Sequence, residues 1–341
     1  MANTIEIGIL GVGRIGASIG LALKRYNAGK NVQQQFRVTV YDTSNTRVTA
    51  AKSLGAFDAH ARSLHDAVQD KALIVLAIPY ADALAAYREI GAAARPGQVI
   101  MDITPLKRPA LEWAKKHLPE DVHMIGAAPI LNPAYLFDGL DETESARADL
   151  LDKGGMLIMP TVNSNPEAIE LVTDLCALIK APVRFADPLE YDTWAAAVEG
   201  LPAALGLSAM YALLRADSWS DAQKAANHHF GRMVHHLVDT HPDDLRDMLL
   251  NNRESVVRQL DSMIAALGGL RDGLAQNNKS MVEAIVTETT EAAQEWMVKR
   301  RDGRWDNREA PPPIDPGGIA GNLLLGGTLT RRLRGDKRGK Q

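Results

Sequence analysis

In the first half of the chain, segments with the apolar pattern of a strand alternate with segments with the apolar pattern of a helix. Short runs rich in β-branched residues predict strands over Ile5–Leu10, Arg37–Tyr41, Leu73–Ile78, Val99–Ile103, His123–Ile125, Met156–Pro160 and Pro182–Phe185. Apolar residues at three- and four-residue steps predict helices over Ile15–Tyr26, Asn45–Leu54, Ala81–Ala94, Arg108–His117 and Pro166–Ile179. Strands that alternate with helices are typical of a parallel sheet covered by helices. We therefore predict an α/β fold, a Rossmann-type doubly wound parallel sheet, over residues 1–188.

The strand pattern ends near Leu189, and the chain then has helical periodicity up to residue 305. A long apolar helix is predicted over Tyr191–Ala216, with a kink at Pro202 because proline cannot donate a backbone hydrogen bond. Another helix is predicted over Ser280–Arg300. Between them an apolar stripe predicts a further long helix, through Val256, Leu260, Ile264, Leu267, Leu270 and Leu274. Residues 189–305 are therefore expected to form an all-α helical domain.

A helical domain of this kind either closes on itself as a bundle or buries its apolar stripe in a homodimer. We favour the homodimer, because closed homodimers are the commonest assemblies. The last segment, residues 306–341, has three consecutive prolines, a glycine-rich apolar patch and a basic end. This composition predicts an extended basic tail, which either is solvated or docks on a partner subunit or an anionic surface.

Composition restricts the class of protein further. A chain of 341 residues is long enough for two domains, and its formal net charge of -4 provides no basic field for nucleic acid or an anionic membrane. Cys176 is the single cysteine, so an intramolecular disulfide and a cysteine metal cluster are excluded. The first residues lack the pattern of a secretion signal, and no run approaches the roughly 18 apolar residues of a membrane span. We expect a cytoplasmic protein without nucleic-acid, membrane or metal partners.

The junction of the first strand and the first helix carries a G-x-G-x-x-G motif within IEIGILGVGRIGASIGLAL. Gly11 permits the tight turn, Gly13 lets the backbone approach a diphosphate, and Gly16 lets the helix pack closely on the strand. Backbone N–H groups at the helix start, at Arg14 and Ile15, and the helix dipole would then stabilise the phosphates. Because the motif follows a strand and opens a helix, it predicts a dinucleotide-binding site.

The second strand ends in VTVYD, which places Asp42 where a carboxylate would bind both ribose hydroxyls of NAD. The interval from Gly11 exceeds the usual spacing of about 20 residues, and the polar stretch Asn27–Gln35 accounts for it as a longer loop. Arg47 lies a few residues further on and is able to meet a 2′-phosphate instead, so NADP stays open as the cofactor. The carboxylate favours NAD, because it would repel that phosphate.

Two later strands bring further residues to the same edge of the sheet. Ile78 and Pro79 lie at the carboxyl end of the strand in LIVLAIP, where ligands bind open α/β sheets. VIMDITPLK occupies the same topological position one strand later and is predicted to place Asp102, Thr104 and Lys107 near the nicotinamide ring.

These segments together resemble the prephenate/arogenate dehydrogenase family. The resemblance is carried by the glycine motif, the LIVLAIP strand, the D-x-x-x-x-K segment Asp102–Lys107 and the G-x-x-P segment Gly126–Pro129. It continues into the helical half through YDTWAAAVEGLPAAL and THPDDLRDMLLNN, in which Asn252 matches a family asparagine. Most of the chain, from about Ile5 to Arg301, is covered. The resemblance implies NAD(P)-dependent hydride transfer to or from a small-molecule substrate, and a helical dimerisation domain.

Several polar positions of the family carry other residues here. The family's catalytic histidine, its motif serine, the histidines of its S-H-L-P-H core and its substrate-binding arginine all differ. They fall on Ala128, Pro105, Gly200 with Ala203, and His235 or His236, respectively. The family's reaction requires a proton acceptor and cations for carboxylates, so these losses predict an altered substrate pocket.

Other polar residues are candidates for the missing chemistry. Lys107 is either a cation for a substrate carboxylate and a partner in proton transfer or a solvated helix residue. Thr104 is a hydrogen-bond donor beside the nicotinamide. Glu199 lies in an apolar helix, so it is either a buried general base or ligand for an amino group, or a residue on a solvent-facing stripe.

His235 and His236 belong to an unusual concentration of histidines together with His228 and His229. Their spacing lacks the carboxylate of a metal motif such as H-E-x-x-H, so pocket or helix-surface histidines are favoured over a metal site.

Two functions follow from these residues. The first is a dehydrogenase, which acts on a prephenate-like substrate or on another hydroxy acid, amino acid or imine. The second is a sensory or otherwise non-catalytic protein that binds NAD(P), because the glycine motif is kept while the family's catalytic residues are not.

Overall fold

The computed structural model describes residues 3–30, 32 and 34–303. Within them the chain forms two compact units, one that extends to Tyr191 and one that begins at Asp192. The tail predicted over residues 306–341 lies outside the described residues.

The first unit is built on one eight-stranded sheet. Its strands are β1 (Asn3–Leu10), β2 (Gln34–Tyr41), β3 (Ala59–His60), β4 (Leu73–Leu76), β5 (Val99–Asp102), β6 (His123–Ile130), β7 (Gly155–Met159) and β8 (Val183–Phe185). Their order across the sheet is β3-β2-β1-β4-β5-β6-β7-β8. Every neighbouring pair is parallel except β6 and β7, which are antiparallel.

Helices cover this sheet on both faces, which confirms the predicted doubly wound fold. They are α1 (Arg14–Asn27), α2 (Asn45–Ser53), α3 (Leu64–Val68), α4 (Ala83–Ala93), α5 (Lys107–His117) and α6 (Pro166–Leu178). Successive strand residues point to opposite faces, so Leu73 and Val75 of β4 join the core under α1, α2 and α6. Ile74 and Leu76 of the same strand join the core under α3, α4 and α5.

The sequence pattern did not predict two short elements, β3 and α3, or the last five residues of β6. β3 has two residues and α3 has five, which is too short for either period to be visible. β6 extends to Ile130, beyond the predicted end at Ile125, because Gly126–Ile130 pair with β7. This extension contains Gly126 and Pro129, residue types that are depleted in strands.

The second unit is helical. Its elements are α7 (Pro188–Ala195, which begins in the first unit), a π-helical turn (Ala196–Gly200), α8 (Leu201–Leu213), α9 (Trp219–Ala222), α10 (His228–Val234), α11 (His236–Asp239), α12 (Pro242–Asn251), α13 (Arg253–Ala275) and α14 (Lys279–Asp302). A kink was predicted at Pro202. The irregularity observed there is the π-helical turn Ala196–Gly200, which ends two residues before this proline. Proline lacks the N–H group of a regular turn and its ring crowds the preceding carbonyls, so the helix widens there.

Several large apolar side chains of the second unit are exposed in the single chain. Ile264, Leu267 and Leu274 belong to the predicted stripe on α13, and their exposed fractions are 65%, 51% and 60%. The helical stretch Pro188–Leu213 is also long and apolar enough, by length and composition alone, to cross a membrane. The expectation that no segment has this composition is therefore wrong for this stretch. A helix of a protein core or of a subunit interface has the same composition.

Cys176 provides a test of the core of the first unit. Cys176 belongs to α6 and its side chain is fully buried in the core, and this burial raises the pKa of its thiol to about 12. Because the thiolate is the reactive form, we expect a thiol reagent at pH 8 to label the native protein at least ~100-fold more slowly than the urea-unfolded protein. Rapid stoichiometric labelling of a protein with a native circular dichroism spectrum would contradict this packing.

Candidate active site

The turn between β1 and α1 is shaped by two close backbone contacts. Gly11 has a φ of +91°, and its N–H donates to the carbonyl of Tyr41 at 2.8 Å. A side chain at Gly11 would overlap the carbonyl of Ala77, and one at Gly16 would overlap the carbonyl of Gly11 itself. These two glycines are required by the fold, since a β-carbon at either position would push α1 or β4 away from the turn.

Gly13 differs from the other two glycines of the motif. It precedes α1 with a φ of -60°, which other residues adopt readily, and a β-carbon there would meet no protein atom within 4 Å. The first bond of α1 runs from the N–H of Ala17 to the carbonyl of Gly13, so the N–H groups of Arg14 and Ile15 precede the helical ladder. Bare backbone and open space at a helix start suit a diphosphate.

The Arg14 side chain points elsewhere. Its guanidinium is buried and binds both carboxylate oxygens of Asp138 and the carbonyl of Leu140. The hydrogen bonds from this guanidinium lower the pKa of the Asp138 carboxyl, against the opposing effect of burial. Arg14 was predicted to contact the cofactor, and this geometry leaves that contact to its backbone N–H.

Asp42 follows the last residue of β2 and is half-buried beside the glycine turn. One of its carboxylate oxygens accepts from the N–H of Val12 at 2.9 Å, and the other accepts from the N–H of Ser44 at 2.8 Å. A carboxylate oxygen accepts more than one hydrogen bond. Asp42 is therefore fixed in orientation and retains acceptor capacity for a pair of hydroxyl groups.

A cleft of about 260 Å³ adjoins this carboxylate. It brings together four of the predicted cofactor residues, Gly11, Asp42, Ile78 and Pro79. The other lining residues are Leu10, Tyr41, Thr43, Arg47, Leu64, Asp82, Ala85, Ala86 and Glu89. Three lining side chains are acidic and one is basic, so the lining as a whole carries negative charge at neutral pH.

The remaining predicted residues of the first unit form a buried cluster at the end of β5. Asp102 is completely buried, and one of its carboxylate oxygens accepts from the Thr104 N–H at 2.7 Å and from the Thr104 hydroxyl. The other oxygen accepts from the hydroxyl of Tyr87 on α4. The Lys107 ammonium lies 3.4 Å from the carboxylate and 3.0 Å from the Asp102 carbonyl, and it also donates to the Thr104 carbonyl.

Burial determines the character of this cluster. The side chain of Lys107 is 1% exposed, which contradicts the interpretation of Lys107 as a solvated helix residue. Its ammonium lies 5.8 Å from the ring centre of Tyr191. Burial and the negative charge of Asp102 raise the pKa of Tyr87 well above its usual value, so Tyr87 stays a hydrogen-bond donor. Both oxygens of Asp102 are engaged within the protein.

The candidates of the second unit have different surroundings. Glu199 is exposed within the π-helical turn. It is therefore not the buried general base or amino-group ligand that was one of its two predicted roles. The Nε2 atom of His235 lies 2.9 Å from a carboxylate oxygen of Asp239. His236 packs against Gly206 of α8, with its ring nitrogen 3.4 Å from the Ala203 carbonyl. Among the described residues, no three or more His, Cys, Asp or Glu side chains come together in a group that could hold a metal ion.

Three site residues were missed by the sequence analysis. Tyr87 lies in the predicted helix Ala81–Ala94, and a tyrosine on its buried face signals a polar partner, because a buried hydroxyl needs one. No sequence pattern marks Asp82 or Glu89 as a site residue, because their place in the cleft depends on how α4 lies relative to the ends of β2 and β4.

Known proteins resemble this chain over most of its length. Residues 19–185 match the family model described as prephenate dehydrogenase, nucleotide-binding domain, and this match begins just after the glycine turn. Prephenate dehydrogenase of Bacillus subtilis (strain 168) is 22% identical over 279 residues, which are 82% of this chain and 72% of that protein. Cyclohexadienyl dehydrogenase of Zymomonas mobilis is 22% identical over 277 residues, 80% of this chain and 89% of that protein.

A solved structure shares the fold. The crystal structure of prephenate dehydrogenase from A. aeolicus, in complex with hydroxyphenyl propionate and NAD+, superposes with a TM-score of 0.71. It is 18% identical, and the alignment covers 85% of this chain and 98% of that one. The similarity extends from the sheet into the helical half, as the sequence motifs predicted. Residues 19–185 therefore carry the nucleotide-binding domain of the prephenate dehydrogenase family, and the chain is an NAD(P)-dependent oxidoreductase that resembles the prephenate/arogenate dehydrogenases.

Proposed function

We propose that this chain uses NAD to oxidise a small-molecule substrate by hydride transfer, with the diphosphate at the Gly11–Gly16 turn and the adenosine in the adjoining cleft. The observation that carries the proposal is the open space in front of Gly13, which adjoins an oriented carboxylate, Asp42. A nicotinamide dinucleotide bound there supplies the site that accepts the hydride. The family match supports this class of reaction.

The charges around the cleft support NAD over NADP. Asp42 is held by two backbone N–H groups and its oxygens keep capacity for the two ribose hydroxyls. Asp82 and Glu89 add negative charge to the same lining, whereas Arg47 alone adds positive charge and is exposed. A 2′-phosphate would bring additional negative charge next to these carboxylates, and neighbouring like charges repel.

In this proposal, the residues that contact the substrate differ from those of the prephenate/arogenate dehydrogenases. Ala128, at the position of the family's histidine, lies buried on β6 and carries no group that accepts a proton. We propose that the Lys107 ammonium, which is paired with Asp102, attracts a substrate carboxylate at the β5–α5 turn, and that Asp102 and Thr104 hold this ammonium in place. Glu199, His235 and His236 stay predicted contributors from the second unit.

This arrangement favours a carboxylic-acid substrate other than prephenate itself, such as another hydroxy acid or an amino acid. Ala128 also supports a second candidate function, a protein that binds NAD(P) without turning over a substrate. Cofactor reduction followed at 340 nm with prephenate, arogenate and a panel of hydroxy and amino acids separates the two. A dehydrogenase reduces NAD in the presence of at least one member of the panel. A sensor binds NAD, but no member of the panel leads to its reduction.

We further propose that the protein is a cytoplasmic homodimer that buries the α13 stripe and the apolar face of Pro188–Leu213 between subunits. The exposed fractions of Ile264 and Leu274 support this, because a monomer rarely leaves a row of such side chains in water. The same burial accounts for the membrane-like composition of Pro188–Leu213 without a membrane.

The cofactor preference is tested by Asp42→Asn. The substitution removes the charge but keeps an oxygen that accepts a hydrogen bond, so we expect the ratio of the NADP and NAD dissociation constants to fall by about tenfold. Titration of both cofactors by calorimetry measures this ratio. Asp66→Asn on α3 serves as the control for charge, and its ratio should match that of the wild-type protein. An unchanged ratio in Asp42→Asn would mean that Asp42 only forms the turn.

The buried ion pair is tested by Lys107→Met. This change leaves the Asp102 carboxylate buried without its cation, so we expect the free energy of unfolding at pH 7 to fall by about 3–5 kcal/mol. The double variant Lys107→Met/Asp102→Asn removes both charges and should regain most of this loss. Urea denaturation followed by circular dichroism measures both values. If Lys107→Met alone were as stable as the wild-type protein, Lys107 would be solvated and its assigned role would fail.

A further inference from the structure

One face of α4 forms a wall of the cleft beside Asp42. Its lining residues are Asp82, Ala85, Ala86 and Glu89, in which the two alanines lie three and four residues after Asp82 and Glu89 lies four and three residues after them. Residues at this spacing share one side of a helix. Asp82 directly precedes α4 and Glu89 lies seven residues later, so this face runs along about 10 Å of helix.

The middle of this wall is small and apolar. Ala85 and Ala86 present only methyl groups, and the rest of the apolar lining comes from Leu10, Tyr41, Leu64 of α3, and Ile78 and Pro79 after β4. A flat aromatic ring fits between such groups, because each of its faces contacts carbon atoms. The polar groups of the wall are confined to its two ends, where they would meet the edges of a ring and not its faces.

The two ends of the wall meet different parts of a nucleoside. Asp82 lies three residues after Pro79, next to the strand ends where Asp42 would hold the ribose. Glu89 is two turns further along α4, and its longer side chain leans back towards the start of the helix, over the alanines. Glu89 is therefore the carboxylate placed at the edge of a ring that lies against Ala85 and Ala86.

A carboxylate at that edge distinguishes one purine from another. An ionised carboxylate only accepts hydrogen bonds. The exocyclic amino group of adenine donates, whereas hypoxanthine has a carbonyl oxygen at the same position. We propose that Glu89 accepts a hydrogen bond from the adenine amino group and so selects the base of the dinucleotide. This inference rests on the proposed binding of NAD in the cleft.

The test compares NAD with its deaminated analogue, nicotinamide hypoxanthine dinucleotide, by calorimetric titration of the full chain. The two ligands carry the same phosphates and ribose groups, so the ratio of their dissociation constants isolates the base. We expect the wild-type protein to prefer NAD by about tenfold or more, because a mismatched polar group at a recognition site is costly.

Three variants decide which carboxylate acts. Glu89→Gln presents both a donor and an acceptor, so we expect the preference to fall to within about threefold, mainly through tighter binding of the analogue. Asp82→Asn and Glu112→Gln, the latter on the exposed surface of α5 and outside the cleft, should keep the wild-type ratio. Equal binding of both ligands by the wild-type protein, or a lost preference in Asp82→Asn instead, would overturn the assignment of Glu89. Failure of the wild-type protein to bind either ligand would instead overturn the proposed function.

Discussion

The absence of side chains at the three glycines of the turn between β1 and α1, Gly11, Gly13 and Gly16, is the constraint on which the rest of the site depends. Gly11 touches the backbone after β4, and Gly16 touches Gly11, so strand, turn and helix approach as closely as backbone permits. The same contacts bring the end of β2 alongside, where Asp42 bonds to the turn through Val12. The cleft exists because three chain segments converge at this point.

A second constraint is electrostatic. Asp102 and Lys107 are buried together at the end of β5, and a buried charge without a partner is costly. Tyr87 and Thr104 supply the remaining hydrogen bonds, so the carboxylate is satisfied on both oxygens. This network ties α4 and α5 to the carboxyl end of β5. Ala128 on the neighbouring strand β6 is buried and has no polar side-chain atom.

The sequence predicted those parts of the site that backbone sterics and strand order determine. The glycines and Asp42 were found because they have fixed places relative to the first two strands. Burial of Lys107 was not predicted, since a charged residue at a helix start is usually solvated. Tyr87, which donates to the Asp102 carboxylate beside Lys107, comes from another helix. Glu89 was missed for the same reason: its place in the cleft depends on tertiary packing. The roles of Glu199, His235 and His236 stay predictions.

The central claim is that the open backbone at Gly13 receives the diphosphate of a dinucleotide. Gly13→Val tests it directly, because the structure has room for the new side chain and Gly13 has a φ that valine tolerates. Calorimetric titration with NAD should show affinity reduced by about 100-fold or more, as a side chain blocks the approach of the diphosphate, while the melting temperature stays that of the wild-type protein. A Gly13→Val protein that binds NAD as tightly as the wild-type protein would contradict the account.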